Sequence, residues 1–258
     1  MDEFQDLVVR TWGDSAQSYD ESILEELNSP LGEVWRSLIL KNAPQKTGAA
    51  PLRILDIGTG PGFFPVILAK KHEVEVTGID CTEEMIKHAR KNVSAFGTDA
   101  ELEVMDSSTL DFPDESFDMI INRNVVWTLS NPEKAYSEWA RVIRQGGKVL
   151  IFDANWQRYY HDEKAKAIFI KHDREYFEKC GEHLDDFIQK KKDPKGALEL
   201  RVNAPLGKHD RPQWDFDILL KFGFRKFHFD IQIGETVWTE EEKFRYKYAP
   251  MFMISAEK

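Results

Sequence analysis

The sequence predicts an α/β protein built on a mostly parallel, doubly wound sheet of seven strands. Three observations point there. Strand-like and helix-like segments alternate from residue 52 to about 153, the pattern of βαβ units with right-handed crossovers. The first strand runs into a glycine-rich turn, Gly58-Thr59-Gly60-Pro61-Gly62, which opens a helix. Three successive strands end in aspartate, at Asp56, Asp80 and Asp106, on the rim where open α/β sheets bind ligands.

The 258 residues suit one domain with an elaboration, and 41% hydrophobic with 31% charged residues is an ordinary globular composition. A net charge of −10 argues against general affinity for nucleic acid or an anionic membrane. The run Lys190-Lys191-Lys192 reads as a solvated face. No apolar stretch reaches the roughly 18 residues of a membrane span. Met1-Asp2-Glu3-Phe4 is acidic without an apolar signal core, so a cytoplasmic location is expected. Cys81 and Cys180 make neither a disulfide framework nor a zinc pattern, and no metal is implied.

Residues 1–50 read as a helical cap. Ser29-Pro30 starts a helix, and Leu31, Val34, Trp35, Leu38 and Ile39 fall on one face of it. Pro44, Gly48 and Pro51 mark the linker into the sheet. Strand 52–57 leads to a helix over 62–71, and Val74 to Asp80 forms the second strand. Thr82 can cap the next helix, with Met85, Ile86, Ala89 and Val93 as its apolar face and Gly97 as its end. Leu102 to Met105 and Phe117 to Ile121 are the third and fourth strands. Asn131-Pro132 starts a helix that Gly146-Gly147 closes, and Lys148 to Asp153 is the fifth strand.

The pattern then changes. Residues 157–212 are polar, aromatic and mostly helical, with a strand signal at Leu198 to Val202, and read as a helical insertion or lid between core segments 51–156 and 213–258. Asp215 can cap a helix ending near Gly223. Lys226 to Ile233 and Pro250 to Ala256 can pair as an antiparallel hairpin at the sheet edge, joined by the charged loop 234–249.

Asp80 can accept hydrogen bonds from both hydroxyls of a ribose, and Asp106 with Ser107 could reach an adenine edge. Any one of the three aspartates could merely start a turn; together they point to a nucleoside. Either a dinucleotide or S-adenosylmethionine fits. The glycine spacing is not Gly-x-Gly-x-x-Gly, and Asp56 beside the turn suits an ammonium better than a phosphate.

Leu55-Asp56-Ile57-Gly58-Thr59-Gly60-Pro61-Gly62, with Asp80 and Asp106, resembles the class I S-adenosylmethionine-dependent methyltransferases, of the small-molecule type seen in ubiquinone and menaquinone biosynthesis. Phe112-Pro113-Asp114-Glu115-Ser116-Phe117-Asp118 and Glu138-Trp139-Ala140-Arg141-Val142-Ile143-Arg144-Gln145-Gly146-Gly147 are similar too, with Gln145 replacing the usual proline. Trp12-Gly13-Asp14-Ser15-Ala16-Gln17-Ser18-Tyr19-Asp20 is similar to the helix that covers the cofactor. The resemblance implies a Rossmann-like fold. It implies that Gly58, Gly60 and Asp56 hold the methionine part, Asp80 the ribose, Cys81 and Met85 the adenine faces, and Asp106 and Ser107 its edge. Asn122 would place backbone near the sulfonium, and Tyr19 could close over the carboxylate.

The segment from Asn122 lacks the Asn/Asp-Pro-Pro-aromatic signature of nucleic-acid amino-methyltransferases. A small-molecule acceptor is therefore expected, met by a monomer or homodimer. Trp12, Trp127, Trp156, Tyr159, Tyr160 and Arg211 are candidates to bind it. His161, Tyr160 and His209 are candidate bases, and His172 and His183 are further near-neutral groups. Methyl transfer needs a base only if the nucleophile must lose a proton, so no catalytic residue is assigned. A module that binds the cofactor without transferring a methyl group is the alternative, and a nicotinamide-dependent oxidoreductase a third.

Overall fold

A computed structural model describes residues 3–45, 48–69, 73–184 and 196–258. The Lys190–Lys192 run and the expected end of the first βαβ helix at 70–71 lie outside the described residues.

Seven strands form one sheet: β1 (Leu52–Ile57), β2 (Val74–Asp80), β3 (Glu101–Val104), β4 (Phe117–Arg123), β5 (Ile143–Asp153), β6 (Lys226–Asp230) and β7 (Phe252–Glu257). Their order is β3-β2-β1-β4-β5-β7-β6. β1 to β5 are parallel, and β7 runs antiparallel between β5 and β6. This is the Rossmann-like, doubly wound sheet with an antiparallel edge hairpin that the sequence predicts. The order reverses between β1 and β4, which opens a crevice at their carboxyl ends.

Strand alternation divides the core. Leu55 and Ile57, Val149 and Ile151, and Phe252 and Ile254 pack on one face with Tyr136, Trp139 and Leu219. Ile54, Met119, Leu150, Phe152 and Met253 pack on the other with Trp35, Ile39, Phe63 and Phe64. A period of two sends neighbouring side chains to opposite faces. The first face is covered by α5 (Pro132–Val142) and α8 (Gln213–Lys221), the second by α2 (Leu31–Asn42) and α3 (Phe63–Leu68). α4 (Glu83–Ala95) buries Met85, Ile86, Ala89 and Val93.

The long helix α1 (Glu3–Leu27) lies across the carboxyl end of the sheet, against α4 and α7 (Ala197–Asn203). α6 (Glu163–Cys180) and the short helices α9 (Gly234–Val237) and α10 (Glu240–Arg245) complete the described α-helices, beside three short 3-10 turns at Val126–Thr128, Arg158–Tyr160 and Pro205–Lys208.

Several expectations need correction. Leu198 to Val202 is helical: Ala197 and Leu200 are buried while Leu198 and Val202 are exposed, a spacing of three that a strand cannot make. The loop 234–249 contains α9 and α10, the latter started by a capping box in which the Thr239 hydroxyl accepts from Glu242 N at 3.2 Å and Thr239 N donates to the Glu242 carboxylate at 2.9 Å. Ser29 acts one residue earlier than expected, its hydroxyl accepting from Leu31 N at 3.2 Å. Asp215 is not a cap; it lies inside α8, fully buried and paired with Arg211.

Gly146-Gly147 does not close α5, which ends at Val142; the pair lies within β5. A Cβ on Gly147 would stand 2.7 Å from Ile143 Cγ1 and 2.9 Å from the carbonyl oxygens of Arg144 and Asp118, so the backbones approach as closely as they do only because no side chain intervenes. Gly147→Ala is expected to destabilise the protein by about 1–3 kcal/mol in denaturant unfolding. Unchanged stability would show that the β4–β5 pairing can widen without cost.

Candidate functional site

β1 leads into a turn whose three glycines are all left-handed, with φ of +67° at Gly58, +52° at Gly60 and +89° at Gly62. A Cβ on Gly58 would stand 2.3 Å from Val125 Cγ2, so this glycine also lets the loop after β4 close over the turn. Beneath it, Asp56 is 1% exposed and its Oδ2 has no hydrogen-bond partner. Burial pushes its pKa up to about 7, against the lowering effects of the Thr59 hydrogen bond and the Arg123 charge. Asn122 is also fully buried, with neither amide atom partnered.

A cavity of about 90 Å³ opens over the turn. Gly58, Gly60, Asp80, Cys81, Met85, Asp106, Ser107 and Tyr19 line it, so all the cofactor candidates reach it except Asp56 and Asn122, which lie below its surface. Asp80 accepts from Gly60 N at 3.1 Å and Thr82 N at 2.9 Å. Burial raises its pKa and these bonds oppose the rise. Asp106 accepts from Ser108 N at 2.8 Å. Burial pushes the Cys81 thiol up to about 12, so it is not a thiolate nucleophile near neutral pH.

A second cavity of about 450 Å³ adjoins the first. Trp12, Tyr19, Arg123 and Asn124 line both and form the seam between them. Arg123 ends β4, where its guanidinium donates to both carboxylate oxygens of Glu26 on α1, at 2.7 and 3.0 Å. It lies 4.3 Å from the Phe63 ring centre and 5.0 Å from that of Trp35.

Among the expected acceptor residues, Trp12, Trp127, Trp156 and Tyr159 line the larger cavity. Tyr160 and Arg211 do not. The Tyr160 hydroxyl accepts from that of Tyr159 at 2.9 Å. Arg211 is buried between two carboxylates, donating to Asp153 at 2.6 Å and to both Asp215 oxygens at 2.8 Å, while the Tyr136 hydroxyl donates to Asp215 at 2.5 Å. It is thus unable to orient an acidic substrate. Asp153 also accepts from the Trp156 indole N–H at 3.0 Å, which fixes that ring in the cavity wall.

The candidate bases lie elsewhere too. His161 packs against Gly207 with its pKa lowered, chiefly by burial. His209 lies against Trp214, His172 faces the Arg245 carbonyl, and His183 pairs with Asp173. Among the described residues, no histidine lines either cavity.

The sequence reading missed Arg123 and Asn124 because it ended β4 at Ile121; the polar triplet Asn122-Arg123-Asn124 at a buried strand's end was the available signal. It missed Trp238 and Tyr246 because it took 234–249 for a loop. Trp35 reads as a core residue from its helical spacing, and it is one; it also lines the larger cavity.

Residues 55–151 match the family model described as a methyltransferase domain. The chain is 43% identical over 101 residues to phosphatidylethanolamine N-methyltransferase of Cereibacter sphaeroides, covering 38% of this chain and 49% of that one. It is 32% identical over 166 residues to 27-O-demethylrifamycin SV methyltransferase of Amycolatopsis mediterranei, covering 59% and 56%. These matches span about half the length of those relatives. Haemonchus contortus phosphoethanolamine N-methyltransferase 2, solved with phosphomonomethylethanolamine and S-adenosylhomocysteine, shares the fold with a TM-score of 0.63 at 18% identity, over 100% of this chain and 60% of its own.

The raised pKa of Asp56 has a stability consequence. Its folded value, about 7, lies above the ordinary 3.8, so burial penalises the ionised form. The penalty is absent below about pH 4, grows as pH rises toward 7 and is complete above it. Asp56→Asn should therefore be more stable than the parent at pH 8, by on the order of 4 kcal/mol, with the gap closing by pH 4. Denaturant unfolding at the two pH values measures it, and a gap independent of pH would refute the assignment.

Proposed function

We propose that this chain, whose residues 55–151 form a methyltransferase domain, is an S-adenosyl-L-methionine-dependent methyltransferase acting on a small-molecule acceptor. The observation that carries the reading is Asp56, with its unpartnered oxygen beneath a turn of left-handed glycines. An ammonium group over this turn would offset the buried charge beneath it and would draw the Asp56 pKa back down. A pyrophosphate would add a like charge, which disfavours a dinucleotide.

On this reading Asp80 accepts from the ribose hydroxyls while the Gly60 and Thr82 amides hold its carboxylate in place. Asp106 and Ser107 meet the adenine edge, and Cys81 and Met85 its faces. Asn122 supports the turn from below rather than touching the ligand. The bound cofactor supplies a methyl group on an electrophilic sulfonium.

The chain's part is to align and to exclude water. Trp12 and Tyr19, 5.7 Å apart between ring centres, close the seam where acceptor and methyl carbon would meet. An in-line approach held there makes proximity the main source of rate. With no histidine on either cavity among the described residues, the nucleophile would arrive competent to attack or release its proton to water. The net charge of −10 favours a small acceptor over nucleic acid. A cytoplasmic monomer or homodimer fits these features.

Calorimetric titration tests the proposal. S-adenosylmethionine and its demethylated product should both bind, and Asp80→Ala should weaken both by about tenfold or more, about 1.4 kcal/mol. Absence of binding by either at millimolar concentration would overturn the reading.

A further inference from the structure

The larger cavity carries a statement about the acceptor, which rests on the methyltransferase reading. We infer that the acceptor is an extended, ring-bearing molecule with one anionic group, and that Arg201 reads that anion. A headgroup-sized amine would leave most of the cavity unfilled.

Length comes first. Thr11, Ser15, Tyr19, Ser22 and Glu26 of α1 all line the cavity, at helical spacings along one face. From Thr11 to Glu26 that face runs about 22 Å at about 1.5 Å per residue. With a volume of about 450 Å³, the cavity is in the range that holds drug-sized ligands.

The walls set the chemistry of the body. Trp156, Trp238 and Tyr246 form an aromatic cluster with ring centres 6.2, 5.3 and 5.5 Å apart. The Trp156 N–H is already bonded to Asp153, so this indole offers its carbon surface. Such surfaces pack against flat rings by stacking and edge contacts. At the seam, Trp127 stands 6.2 Å from Trp12 and extends the aromatic wall toward the reacting position.

The charges set the anion. Of the guanidinium groups on the cavity, Arg123 is held by Glu26 and Arg245 by Glu241. Arg201, by contrast, makes no hydrogen bond or ion pair among the described residues. Its helix α7 packs on the start of α1, where Leu200 meets Leu7 and Val8. Glu25, toward the opposite end, is exposed to solvent. One partly buried arginine with no partner among the described residues suits one carboxylate, sulfonate or phosphodiester on an otherwise apolar body.

Five of the chain's seven tryptophans, Trp12, Trp35, Trp127, Trp156 and Trp238, line the cavity, so occupancy is readable by energy transfer from indole. The probes are 8-anilinonaphthalene-1-sulfonate, its uncharged relative N-phenyl-1-naphthylamine, and phosphoethanolamine, each added to protein saturated with the demethylated cofactor. Both dyes should bind saturably with indole-sensitised emission. Arg201→Gln should weaken the sulfonate dye by about tenfold and the uncharged dye by no more than about twofold, and Arg201→Lys should keep most of the sulfonate affinity. Phosphoethanolamine at millimolar concentration should displace neither.

Failure of both dyes to bind, or their displacement by phosphoethanolamine, would overturn the ring-bearing acceptor. Unchanged sulfonate binding in Arg201→Gln, or equal loss of both dyes, would overturn the role of Arg201. Cofactor binding is measured separately, so a failure of the methyltransferase reading is distinguishable from a failure of this one.

Discussion

The cap that closes both cavities is fastened by the ion pair between Arg123 and Glu26. α1 carries Trp12, Tyr19 and Glu26, so whatever holds α1 sets the shape of both cavities. Burying a charge is costly unless its geometry is good and its remaining donors are used. Here the pair is bidentate, and the guanidinium lies near the rings of Phe63, Trp35 and Phe64, which offsets part of the desolvation. A second fastening lies one turn and a half earlier, where Asp20 accepts from Asn92 at 2.6 Å and meets His88 at 2.8 Å. Asn92 also donates to the Pro61 carbonyl at 3.0 Å, so the glycine turn, α4 and α1 share one polar joint.

A different buried network holds the far wall. Asp153, Arg211, Asp215 and Tyr136 sit where β5, α5 and α8 meet. Apolar residues of similar volume could pack there at comparable stability. The charged set adds direction. Asp153 ends β5 and uses one oxygen for Arg211 and the other for Ala154 N and the Trp156 indole. The orientation of a ring in the wall of the larger cavity is thereby tied to the strand that ends beside the seam.

What the sequence made legible follows from range. The βαβ alternation, the left-handed glycines and the aspartates at successive strand ends are local signals, each set within a few residues by backbone geometry. That is why the rim of the smaller cavity could be read residue by residue. Asp56 and Asn122 lie beneath the turn, and their burial could not be read, because it depends on how the loop after β4 folds over it. Arg211 and the histidines failed for another reason. Titratable residues in an aromatic insertion invite a functional role, and only tertiary packing shows that Arg211 is consumed by Asp153 and Asp215 while His161 and His209 face other walls. The α9–α10 segment looked like a charged loop since two helices of four and six residues are too short to give a readable period.

The two cavities differ in what could change them. The smaller is built mostly from strand ends and a turn whose backbone is fixed by the sheet, with α1 closing one side. The larger is assembled from α1, the segment after β5, α7 and the α9–α10 segment, which belong to no common element. Exchange of Trp238, Tyr246 or Arg201 would alter its lining without touching β1 to β5. On the proposed function, sequence divergence concentrated in those segments would redirect the acceptor while leaving cofactor binding intact. The match to the family model covers residues 55–151, whose geometry the sheet dictates, whereas the lining of the larger cavity comes mostly from segments outside that range.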